Sequence, residues 1–260
     1  MKQRASQIKH KKDSKKEMKI IVADTYEAMS KTVADDIIQL MRPAKHPLIC
    51  TASGDSPAGL YKQLVQKVNT KELNVSDWYF VSLDEWAGMN GKDEGSCRFH
   101  LNRELFDPLE IPAERICFFD GRADNLEKEC TEVEDFIKTH GGIDVAIVGL
   151  GMNGHVGMNE PGTSAALRSH VAAIDPVTQK IGQKYFKEQR QLTHGVTLGL
   201  ATLMEATHII LLVNGGHKAQ IVQQVLEGEI SEALPASLLR NHAGLKVYLD
   251  KEAAAMLRSI

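Results

Sequence analysis

Two short stretches constrain the fold of this chain most: Asp144–Val148 (DVAIV) and His208–Val213 (HIILLV), each apolar after one polar residue. A strand with one face in water alternates apolar and polar side chains. A strand apolar at successive positions is covered on both faces, as in a parallel sheet. Helical patterns precede the first run, over Asn125–His140, and follow the second, over His217–Leu226. This alternation predicts a single-domain α/β fold: a doubly wound, mostly parallel, Rossmann-like sheet with helices on both faces.

The remaining chain fits the same scheme. Lys19–Ala23 reads as a strand, with Asp24 as the N-cap of the following helix and Glu27 in capping-box register. Tyr26, Met29, Val33, Ile37 and Leu40 then make one apolar stripe. Pro47–Thr51 is a second strand, and a helix starts at Ser56-Pro57 and runs to about Lys67. Trp78–Leu83 is a third strand ending at Asp84-Glu85-Trp86, followed by a helix over Ser96–Phe106. A strand at Leu245–Leu249 and a helix at Lys251–Leu257 close the pattern.

After Met18 there is no linker composition and no internal repeat, so residues 18–260 are expected to form one domain. Residues 1–16 carry seven Lys/Arg against one Asp, and no apolar segment follows them. Residues 1–17 therefore read as a disordered basic tail or a start-site extension, not as a secretory signal.

Composition narrows the partners. A net charge of −3 and 5% aromatic residues argue against a nucleic-acid surface. No apolar stretch has the length to span a bilayer, so no membrane partner and a cytoplasmic location are expected. Cys50, Cys97, Cys117 and Cys130 form no C-x-x-C pair and read as reduced thiols, Cys50 in the core and Cys97 close to a motif. The oligomeric state is not written in the sequence, and a homo-oligomer is compatible with it.

In doubly wound sheets ligands bind beyond the carboxyl ends of the strands, and the unusual residues of this chain gather there. Thr51–Pro57 (TASGDSP) is built of small residues that let the backbone approach an anion at a helix N-terminus, although it matches neither the Walker loop nor the dinucleotide fingerprint. Asp84-Glu85-Trp86 places two carboxylates at the exit of a buried strand, where one can act as a general base; two solvated loop acids are the plainer alternative. Gly149–Gly162 (GLGMNGHVGMNEPG) frames His155 and Glu160 with five glycines. A histidine so placed suits proton transfer near neutral pH, with Asn153 or Glu160 orienting its ring. Asn214–Lys218 (NGGHK) brings a lysine to another strand-to-helix turn, where it can meet a phosphate. Lys180, Lys184 and Lys187 make a cationic row, which on spacing alone reads as a solvated face.

These four segments, in this order, resemble the glucosamine-6-phosphate deaminase/isomerase family, and the similarity extends over essentially everything from Met18 onward. The resemblance implies a phosphorylated amino sugar as ligand and no metal or organic cofactor. It implies that Asp84 moves a proton between carbons 2 and 1, and that His155, supported by Asn153 and Glu160, opens the pyranose ring. Ser53, Gly54, Ser56 and Lys218 would hold the phosphate. The same resemblance extends the binding set to Asp55, Gly151, Gly154 and Lys184, the last standing where many members have an arginine.

Asn153, where glucosamine-specific members are expected to carry Asp, is most similar to the galactosamine-6-phosphate branch, as are LDEW, Gly95-Ser96-Cys97, GVTLGL and LPASLL. That similarity implies galactosamine 6-phosphate giving tagatose 6-phosphate and ammonia; glucosamine 6-phosphate giving fructose 6-phosphate is the alternative. 6-Phosphogluconolactonases, expected to show D-E-R and no N-E-P, fit less well against Trp86 and Asn159-Glu160-Pro161. A sugar-phosphate sensor would need a DNA-binding module, for which the residues before Met18 are too few.

Overall fold

The computed structural model describes residues 18–258. The expectation for residues 1–17 lies outside them.

The chain alternates as its pattern predicts. Strand β1 (Lys19–Ala23) leads to helix α1 (Tyr26–Met41), β2 (Leu48–Thr51) to α2 (Asp55–Asn69), and β3 (Tyr79–Ser82) to a short β4 (Asp84–Trp86). Helix α3 (Cys97–Leu101) continues as a π-helical turn over Asn102–Phe106, and β5 (Ile116–Cys117) precedes α4 (Leu126–Thr139). Then come β6 (Val145–Val148), β7 (His170–Ala173), α5 (Pro176–Gly182), β8 (His194–Thr197) and α6 (Leu200–Met204). The chain ends with β9 (His208–Val213), α7 (Ala219–Glu227), α8 (Pro235–Leu238) and β10 (Leu245–Asp250).

Seven strands form one sheet in the order β1-β10-β9-β6-β2-β3-β5, and every neighbouring pair is parallel. The two runs that set the fold lie at its centre, Val145–Val148 paired with His208–Leu211. Their side chains alternate between two cores. Val145, Ile147, Ile210 and Leu212 pack with α1, α2 and α3. Ala146, Val148, Ile209 and Leu211 pack with α4, α6 and α7. Both faces are apolar because both are covered.

Three details depart from the sequence reading. Thr25, not Asp24, caps α1: its backbone is extended and its hydroxyl accepts from the Ala28 amide at 3.1 Å. Residues 251–256 close the chain as turns instead of a helix. Asp250 ends β10 by accepting from the amides of Gly215 and Ala253, and so short a segment gains too few bonds to repay helix nucleation.

The third departure is larger. The strand Trp78–Leu83 does not run on into a loop but hands the chain to a second sheet. The Leu83 amide bonds to Thr51 of β2, and its carbonyl accepts from Leu198 beyond β8. Asp84–Trp86 then pairs antiparallel with β8, in a three-stranded sheet of order β4-β8-β7.

Candidate active site

Because the seven strands of the main sheet are parallel, their carboxyl ends share one edge, and the turns after β2, β3, β6 and β9 meet there. They surround a cavity of about 210 Å³. Ser53, Gly54, Asp55 and Ser56 line it from the β2 turn, Asp84 from the start of β4, Gly151 and His155 from the β6 turn, and Lys218 from the β9 turn. Lys184, in a 3-10 turn after α5, lines it as well. Residues spread over most of the chain thus form one site.

On one side lies the first turn of α2. Gly54, its N-cap, has φ +119°, a backbone conformation natural to glycine. The Ser56 hydroxyl donates to Asn214 Oδ1 at 2.6 Å and ties the β2 turn to the β9 turn. Tyr61 donates to the Ala52 carbonyl at 2.6 Å, fixing the loop from beneath. Amides and hydroxyls at a helix N-terminus favour an anion. Lys218 adds charge: its ammonium donates to the Leu150 carbonyl. Burial lowers its pKa to about 8, with the neighbouring Lys184 pushing the same way and Asp55 opposing. An anion in the cavity would remove that penalty.

Asp84 faces the cavity and is otherwise walled by protein. Burial raises it from 3.8 to about 6, against the opposing pull of a hydrogen bond from the Cys97 thiol and the charge of His155. The adjacent Glu85 has a different task. It is fully buried, and its carboxylate accepts from the amides of Trp86, Cys97 and Arg98 at 2.8, 3.0 and 3.0 Å. It therefore fastens β4 to the start of α3. Burial pushes it up to about 7 against those three bonds.

His155 stands across from Asp84. Its Nδ1 lies 2.8 Å from Asn153 Oδ1 and 3.0 Å from Thr178 Oγ1, with Glu160 Oε2 at 3.4 Å. The Asn153 amide oxygen can only accept, so Nδ1 carries the proton and Nε2 of the neutral ring has a free lone pair. Asn153 Nδ2 in turn donates to Glu160 Oε2 at 2.8 Å. The carboxylate that can stabilise an imidazolium is thus Glu160, and Asn153 links the two. Burial acts to raise Glu160, but bonds and charge from His155, with Asn153 and Thr178, outweigh it and hold the carboxyl below its usual range.

Several expected ligands have other work. A Cβ on Gly151 would come within 2.3 Å of the His155 ring, so this glycine makes room for the imidazole. Gly154 has φ +85° and packs on Leu234, where a Cβ would lie 2.2 Å from Cδ1, and it does not line the cavity. Asn153 and Glu160 sit behind His155, not on the cavity wall. The Asp55 carboxylate is paired with Lys184, and as an acceptor-only group it is no ligand for phosphate.

The sequence reading does not single out Thr178, Tyr185 or His100, all on the wall, and it notes Cys97, also on the wall, only as lying close to a motif. Asp175-Pro176, which caps and opens α5 with Asp175 accepting from Val177 at 2.8 Å, was the one local signal for the element that carries Thr178 and leads to Tyr185. Among the described residues no cluster of His, Cys, Asp or Glu is arranged to hold a metal ion, and no helix is long and apolar enough to cross a membrane.

A sequence model described as glucosamine-6-phosphate isomerases/6-phosphogluconolactonase matches residues 22–248. The chain is 34% identical over 237 residues to a glucosamine-6-phosphate deaminase of Oceanobacillus iheyensis, covering 91% of this chain and 95% of that one. It is 34% identical over 240 residues to glucosamine-6-phosphate deaminase 1 of Bacillus subtilis, covering 92% and 99%. A solved monomeric glucosamine-6-phosphate deaminase superposes with a TM-score of 0.89 at 34% identity, covering 92% of this chain and all of that one. 6-Phosphogluconolactonase from Trypanosoma brucei, at 22% identity and a TM-score of 0.72 over 92% and 98%, shares the fold. The single-domain α/β fold with a parallel central sheet is that of these structures.

Proposed function

The chain belongs to the family of glucosamine-6-phosphate isomerases and 6-phosphogluconolactonases, as an enzyme of its glucosamine-6-phosphate deaminase group, and on that premise we propose that it converts glucosamine 6-phosphate and water to fructose 6-phosphate and ammonia. The observation that carries this reading is one cavity holding Asp84, drawn toward neutral pH, and His155, its Nδ1 held by Asn153, Thr178 and Glu160.

Each residue has a role in such a reaction. Ser53, Gly54 and Ser56, with Lys218 and Lys184, hold the phosphate at one end of the sugar. His155 exchanges a proton with the ring oxygen through Nε2 as the ring opens, and Glu160 offsets the charge on the imidazolium. Asp84 takes the proton from carbon 2, leaving a cis-enolamine, and returns it to carbon 1 to give a ketimine. Water adds at carbon 2, and the C–N bond breaks to release ammonia. A carboxyl near 6 is ionised often enough to abstract the proton and basic enough to hold it.

The expectation of a galacto substrate gives way here. It rested on Asn153, with LDEW, Gly95-Ser96-Cys97, GVTLGL and LPASLL beside it; Asn153 bonds to His155 and Glu160 behind the cavity wall, and the relatives above carry glucosamine 6-phosphate in their names. Ammonia release from glucosamine 6-phosphate and galactosamine 6-phosphate, measured side by side, tests the assignment. The gluco sugar is expected to have the higher kcat/KM. A galacto preference would keep the chemistry and reverse the substrate, and ammonia from neither would remove the reading.

A further inference from the structure

Asp55 is an acid set within a loop of small residues, at a cavity edge that also receives Lys184 and Lys218. A bare carboxylate there would repel an incoming phosphate. It is not bare: Asp55 Oδ2 accepts from Lys184 Nζ. The loop that carries Asp55 is itself fixed, with its carbonyl accepting from the Tyr26 hydroxyl at 2.6 Å.

The partner lysine belongs to a segment strung across the cavity. Tyr185, next to it, lies edge-on to His100 with ring centroids 5.3 Å apart, and its hydroxyl lies over Gly54. Phe186 meets Trp86 edge-on, and Lys187 pairs with Glu94 at 2.9 Å. Two members of the cationic row noted in the sequence are therefore paired with carboxylates of other segments. As a stabiliser of the fold the Asp55–Lys184 pair counts for little, because its side chains are 67% and 47% exposed and water screens them. Its effect is to decide where the ammonium points. Lys184 has three donors, and its bonds to Asp55 and to the Tyr185 hydroxyl leave one for a ligand.

We propose that Asp55 is a positioning residue: its carboxylate holds the Lys184 ammonium over the phosphate subsite, and Lys184, not Asp55, meets the phosphate. This rests on the phosphate reading of that subsite. It assigns Asp55 the opposite sign from simple charge repulsion: removing the acid loosens phosphate binding instead of tightening it.

Inorganic phosphate is the probe, its affinity for the full chain measured by titration calorimetry in the unsubstituted protein, Asp55→Asn, Asp55→Glu, Lys184→Ala and the Asp55→Asn/Lys184→Ala pair. Asp55→Asn is expected to weaken phosphate by about threefold, the scale of one exposed ion pair. Asp55→Glu should recover part of the loss, and Asp55→Asn should change nothing further once Lys184 is alanine. In the ammonia assay the same factor should enter KM more than kcat. Tighter or unchanged binding in Asp55→Asn would overturn the proposal. So would an equal loss with and without Lys184, or no phosphate binding to the unsubstituted chain. Phosphate results as expected, with ammonia released from neither sugar, would leave Asp55 in its role and remove the reaction instead.

Discussion

At the scale of single residues, Asp84 is asked to be both buried and charged. A carboxyl held above its unfolded value binds its proton more tightly in the fold. The stability it contributes at low pH is therefore lost as pH rises from about 4 through about 6. Asp84→Asn removes that cost along with the base. It should lower kcat on the order of a thousandfold while leaving phosphate binding in place, and stabilise the fold at pH 7.5 by about 1–3 kcal/mol. Stopped ammonia assays and denaturant melts at pH 7.5 and pH 4 check both halves, the gain vanishing at the lower pH. Lys218 sets the other edge of the pH range. With its pKa near 8, kcat/KM should fall as the ammonium is lost above that pH. Lys218→Arg, which stays charged, should push the falling limb of the pH profile upward.

At the scale of elements, the join between β4 and α3 decides where Asp84 points. Glu85 supplies it by taking three backbone amides from two segments. Glu85→Ala would leave those donors buried without acceptors, at a cost of about 2–4 kcal/mol. The urea midpoint should drop accordingly, with an unchanged slope, and kcat should fall because the neighbouring base is no longer held. This join was not legible locally. Asp84-Glu85-Trp86 reads as two acids leaving a strand, and it becomes a strand only because β8, far along the chain, pairs with it. The cap of α1 was legible to within one residue, Thr25 for Asp24, since neighbouring polar residues compete for the same role.

At the scale of the whole molecule, every strand of the central sheet and every residue of the cavity falls between Lys19 and Asp250, and the family match spans residues 22–248. A chain starting at Met18 should therefore keep its turnover and its thermal midpoint within error of the full-length protein. A loss of either would assign residues 1–17 a part in folding or catalysis.

The sequence by itself determined the doubly covered sheet and the four turns at its carboxyl edge. Apolar runs such as HIILLV and small-residue turns such as TASGDSP act on the chain that bears them, so their meaning is local. Asp84, His155 and Lys218 could be placed at that edge for the same reason, each following a strand, although locally Asp84 read as readily as a solvated acid and Lys218 as a surface lysine. Only the tertiary structure decided what the charges do. It joined Asp55 to Lys184, set Glu85 on the amides of α3, and let Glu160 hold the charge beside His155 with Asn153 as the link. The task of a buried charge depends on the partner that satisfies it, and Asp55 and Glu85 find theirs on segments that only the fold brings close.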